Sequence, residues 1–117
     1  MCQISEHIVS WMADPANNAL EPGSDLPAFD QPLVGVAAGE DALFTFIKND
    51  IGPEFYWTPE EAFKAAFPAE TVRADELSVI AWILPQTLHT RLAHRKSVGL
   101  PSPEWSKARH YGEKVNE

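Results

Sequence analysis

Residues 86–96, QTLHTRLAHRK, gather more chemically able side chains than any other stretch of this chain. Gln86, Thr87, His89, Thr90, Arg91, His94, Arg95 and Lys96 supply amides, hydroxyls, imidazoles and cations in eleven positions. Arg91 and Arg95 carry forked guanidinium donors that match the paired oxygens of a phosphate or carboxylate, and His94 lies beside Arg95. A second group, Arg109-His110-Tyr111, lies in ARHYGE near the end of the chain. These six residues, Arg91, His94, Arg95, Arg109, His110 and Tyr111, are the ligand-binding candidates. The bland account of each is also at hand. Arg91, His94 and Arg95 could be solvated charges, and Arg109 stands four residues before Glu113, the spacing of an ordinary helical ion pair.

Other chemistries find less support. His89 and His94 are five apart, which misses the i,i+4 spacing of helical metal ligands, and His110 with Glu113 lacks a second motif; no metal site is expected. No Walker loop or G-x-G-x-x-G is present, GVAAG (35–39) is a poor phosphate cradle, and no serine sits in a nucleophile elbow. The single cysteine, Cys2, excludes an internal disulfide and any multi-cysteine metal centre within these 117 residues. No catalytic residue is assigned.

Charge divides the chain. Residues 1–76 hold fourteen acids against three bases, net −11, whereas residues 77–117 hold six bases against three acids, net +3, within an overall −8. Three of the four histidines share the basic last third. An anion would be drawn there, while the negative total argues against direct nucleic-acid binding. No apolar run reaches the ~18–20 residues of a membrane span, and MCQISEHIVSWMADP lacks the basic lead and cleavage site of a signal peptide. A cytoplasmic protein with no membrane partner is expected.

The elements that must position these side chains follow from pattern. ISEHIVSWM (4–12) predicts a short amphipathic helix with Ile4, Ile8 and Trp11 or Met12 inward and Ser5 and Glu6 in solvent. Four prolines with Gly23 and several Asn/Asp between residues 14 and 32 predict a linker or arm, so residues 1–31 are set apart from an α/β domain over 32–117. PLVGVAA (32–38) and the run at 77–84 predict strands covered on both faces. Between them, helices are expected near 41–50, with a Leu43, Phe44, Phe46, Ile47 stripe, and near 59–67. Thr58, Pro59 and Glu61 spell a capping box there, with Ala62, Phe63, Ala66 and Phe67 as the buried face. A last helix is expected near 103–115, with Trp105, Ala108 and Val115 toward one side and Gly112 against it. The fold class is α/β, with a small mainly parallel or mixed sheet joined by a right-handed crossover. The basic segment then follows a buried strand, where open α/β sheets collect ligands. Trp11, Trp57, Trp82 and Trp105 are expected in core duty.

LSVIAWILPQT followed by RLAHRK, PSPEW and ARHYGEKVN, with PLVGVAAGEDALFTFIKNDIGPEFYWTPEEAF before them, resembles the amino-terminal region of iron–sulfur proteins related to epoxyqueuosine reductase, over roughly residues 32–117. The resemblance implies an oxidoreductase whose carboxyl-terminal half binds [4Fe–4S] clusters, with a corrinoid cofactor in one branch. This chain has none of the cluster cysteines. The expectation is therefore a non-catalytic amino-terminal domain, inactive alone, that shapes a cofactor or substrate pocket and packs on the cluster-bearing domain of a longer parent. In this resemblance Arg109, His110 and Tyr111 stand as pocket or inter-domain contacts. Two rivals are a stand-alone module for a small anionic ligand or nucleotide, and a protein-interaction domain that uses its acids against a basic protein.

Overall fold

The computed structural model describes residues 3–117, so Cys2 lies outside the described residues. Among them the order is α1 (Gln3–Ala13), β1 (Leu33–Ala38), α2 (Ala42–Ile51), α3 (Pro59–Ala66), a single 3₁₀ turn (Ala74–Glu76), β2 (Ser78–Ile83), α4 (Leu88–Lys96) and α5 (Pro103–Asn116). The fold is α/β, and the predicted helices and strands form where their patterns put them. The helix α4 is an addition: the basic segment was read without one.

The parallel or mixed sheet is not confirmed. β1 and β2 make a two-stranded antiparallel sheet. The Gly39 amide donates to the Leu77 carbonyl at 2.8 Å, and the Asp30 amide to the Pro85 carbonyl at 2.9 Å, so the pairing partner falls as residue number rises. β1 thus ends where β2 begins, and residues 40–76 leave and return at one point rather than travelling back along the strand. Helices between two strands say that the connection is long, not which way it returns. Gly39 makes the closure: a Cβ there would stand 2.7 Å from both the Ala74 carbonyl oxygen and the Leu77 Cβ.

The strands are not covered on both faces. Leu33 is 63% exposed and Ile83 64%, with Val36 and Trp82 also exposed. An unbroken apolar run marks a strand that needs two covered faces, and two strands without a packed layer do not provide them.

The chain divides into two compact units, Gly35–Ala81 and the remainder, Met1–Val34 with Trp82–Glu117. In the inner unit Asp41 caps α2 by accepting from the Leu43 amide at 2.9 Å. Thr58 and Glu61 close the expected capping box on α3. The Lys48 ammonium reaches Glu61 at 2.7 Å and the Tyr56 carbonyl at 3.1 Å, fastening the start of α3 to α2. That cation, then the Thr58 amide, holds the Glu61 carboxyl below its ordinary 4.5. Neither helix has a buried residue. Phe44, Ile47 and Phe63 are half-buried, while Leu43, Phe46, Ala62, Ala66 and Phe67 are exposed, so the two expected inward faces are only partly realised.

The outer unit holds the buried apolar residues Met12, Leu20, Ala28 and Ala108. Two of them come from the proline-rich stretch, which Asn18 organises. Its buried side-chain amide donates to the Met12 carbonyl (3.1 Å) and the Phe29 carbonyl (2.8 Å), and its oxygen accepts from the Phe29 amide (3.0 Å). Ala19 and Pro27 pair as an antiparallel bridge around the loop. In α1 the expected inward side is partly realised: Met12 is buried and Ile8 half-buried, but Ile4 and Trp11 are exposed and Ser5, expected in solvent, is buried. Trp57 and Trp82 are exposed as well, so the expected core duty fails for three of the four tryptophans; Trp105 is half-buried.

Candidate functional site

Thr87 starts α4. Its hydroxyl oxygen accepts from the Thr90 amide at 3.2 Å and its hydroxyl donates to Thr90 Oγ1 at 3.2 Å, with both threonines buried. The helix then carries His94, Arg95 and Lys96 in its last turn, where cations complement the helix dipole. Arg91 and Arg95 are exposed and one turn apart on the same side. His94 is committed elsewhere: its ring stacks on Trp105 with centroids 5.4 Å apart and planes 21° from parallel, and its Nδ1 accepts from the Ser102 amide at 3.4 Å. Buried Ser102 caps α5, accepting from the Trp105 amide at 3.1 Å. His94 is thus part of the clasp between α4 and α5, the most extensive helix packing among the described residues.

On α5, Arg109 stands 3.7 Å from Glu113, each side chain about two-thirds exposed, at 67% and 69%. His110 meets Tyr111 edge-on, with centroids 4.7 Å apart. Lys107 reaches back to Glu21 at 2.8 Å, and that carboxylate raises the Lys107 ammonium above its ordinary 10.5.

The α5 helix also forms one wall of a cavity of about 340 Å³, whose polar rim is Gln86, Arg109, Glu113 and Asn116. Its floor is Phe29 against Gly112. A Cβ on Gly112 would meet Phe29 Cζ at 2.7 Å, so the glycine that weakened the helix reading is what admits the ring. Trp82 lines the same cavity, and its Nε1–H donates to Asn116 Oδ1 at 3.0 Å. Trp82, Leu84 and Asn116 also line a neighbouring, mainly apolar open cavity of about 260 Å³, together with Trp11, Met12, Val115, His7 and Glu117.

The six sequence candidates are therefore divided. Arg91, His94 and Arg95 sit on α4, Arg109, His110 and Tyr111 on α5, and of the six Arg109 alone lines either cavity. Gln86, from the same basic stretch, joins it. Sequence reasoning missed Phe29, expected in a linker, Trp82, expected in the core, and Asn116, which lies just past the helix expected near 103–115. A glycine inside an otherwise regular helix was the available signal, since it marks a close approach.

The lining offers a cation, an anion, amides and an indole, groups that bind and orient. A [4Fe–4S] cluster needs four thiolates, and the chain has one cysteine. Among the described residues no group of three or more His, Cys, Asp or Glu is placed to hold a metal ion. Nor is a helix there long and apolar enough to cross a membrane. Compared with known proteins, the chain matches no family model, no curated protein and no solved structure.

Proposed function

We propose that this chain is a non-catalytic amino-terminal domain of an iron–sulfur oxidoreductase-like cytoplasmic protein, docking on a cluster-bearing domain and contributing to a cofactor or substrate pocket without binding the cluster. The observation that carries the docking is uncovered apolar surface. Within the unit Gly35–Ala81, Val36 on β1, Leu43, Phe46 and Ile51 on α2, and Phe55 and Trp57 after it are all exposed, with Phe55 at 77%. Single exposed apolar residues are ordinary, but so many large ones within one short unit support a surface that a partner covers. The sequence resemblance supplies the identity of the partner: a domain with cysteine-rich motifs. [4Fe–4S] chemistry, and a corrinoid where one is used, would reside off this chain, so no step is derived through either group.

The test extends expression through the reading frame downstream of Glu117. Cysteine-rich cluster motifs, a coloured product, and loss of dye binding at the apolar surface are expected. The chain on its own should stay colourless and redox-silent after anaerobic treatment with iron and sulfide. An intact cluster on the isolated chain, or a stop codon at its end, overturns the reading.

A further inference from the structure

The two cavities beside Trp82 adjoin, sharing Trp82, Leu84 and Asn116, and they differ in character. One is mainly apolar and bordered by two indoles, Trp11 and Trp82, with His7 and Glu117 also in its lining. The other carries one cation, Arg109, and one anion, Glu113, with the Gln86 and Asn116 amides. Their volumes, about 260 and 340 Å³, together suit a small organic molecule.

The charges select among ligands. At 3.7 Å the Arg109–Glu113 contact is longer than a hydrogen bond, and both side chains are mostly exposed, so the pair opens easily. A phosphate approaching Arg109 also meets the Glu113 carboxylate, and an amine approaching Glu113 meets the guanidinium. A group bearing both charges satisfies both. The mainly apolar end, flanked by indoles, favours a flat ring, and the Trp82 indole N–H donates to Asn116 Oδ1 where the two cavities meet.

From this we infer that the cleft binds a small aromatic zwitterion of the aromatic amino-acid class, with the carboxylate on Arg109, the ammonium on Glu113 and the ring in the Trp11–Trp82 end. The inference stands apart from the iron–sulfur reading, because it uses side chains of this chain alone.

Titration of the ¹⁵N-labelled chain with phenylalanine, which adds no indole signal, tests it. The Trp82 indole N–H and the Gly112 amide should shift saturably. Phenethylamine and 3-phenylpropionate, each lacking one charge, should bind at least tenfold more weakly, and inorganic phosphate should leave these resonances unmoved. Arg109→Gln should bring phenylalanine down to the affinity of phenethylamine, and Glu113→Gln to that of 3-phenylpropionate. Absence of a saturable shift with phenylalanine, an equal response to phosphate, or unchanged binding in both variants would overturn it. Since both substituted side chains are exposed, the variants leave the packed residues intact.

Discussion

Asn18 shows how much one polar side chain can organise in a chain with so small a core. Three hydrogen bonds to Met12 and Phe29 hold the end of α1 and the proline-rich loop together, and the residue is buried. Asn18→Ala would leave these backbone groups without partners, a loss of about 3 kcal/mol at the upper end of the cost for unpaired buried polar atoms. Urea denaturation checks it; a loss under about 1 kcal/mol would mean that water replaces the amide. Glu61 makes a pH-dependent contribution. Its carboxyl titrates below 4.5 in the folded chain because Lys48 and the Thr58 amide favour the charged form. Its stabilisation is complete above 4.5 and disappears as pH falls through the lowered value. Acid titration of stability should therefore be shallower for Glu61→Gln than for the natural chain. Lys107 has the opposite sign: its contribution is present below 10.5 and fades as pH rises past its raised value. Neither contact was readable from the sequence, since Lys48 lies 13 residues from Glu61 and Lys107 86 from Glu21.

At the scale of elements, helices and strands were readable because each carried local punctuation. The Thr58 capping box on α3 and Ser102 ahead of Pro103 on α5 act within a few residues of themselves. Strand direction was not, because it depends on where residues 40–76 come back to the sheet. The α4 helix was missed for a related reason: its face is sparse in apolar residues, and what starts it is the Thr87–Thr90 hydroxyl pair. Of the candidate site, Arg109 and Gln86 were identified and the aromatic walls were not, because they converge from segments far apart. Two glycines test this packing. Gly39→Ala forces a Cβ against the backbone at 2.7 Å, which cannot move aside, and should cost about 1–3 kcal/mol. Gly112→Ala meets only the end of the Phe29 ring. Trimming that ring with Phe29→Leu should recover part of the loss, a coupling a double-mutant cycle in urea measures; strict additivity would show that the ring does not press on α5.

For the whole molecule, the uncovered apolar surface makes a prediction independent of any partner's identity. Phe46→Ser and Phe55→Ser should lower binding of an apolar dye while changing stability by less than about 0.5 kcal/mol, as for surface positions generally. A cooperative loss of structure in either variant would show that these rings hold the inner unit together. The basic end of the chain would persist in both, and α4 with its unpaired cations would keep any salt-dependent association it has. The meeting of Gly39 with Leu77 also bears on how the polypeptide reaches its native state. Segments 1–34 and 82–117 must find each other across the intervening residues 35–81, a search whose entropic penalty grows with the length of free chain. Once that middle stretch has formed locally, its ends lie side by side and the effective gap shrinks to a hairpin. The connectivity predicts closure of the middle stretch before the outer segments meet: Gly39→Ala, which obstructs that closure, should slow the burial of Met12 and Ala108 in stopped-flow refolding, and an unchanged rate would contradict it.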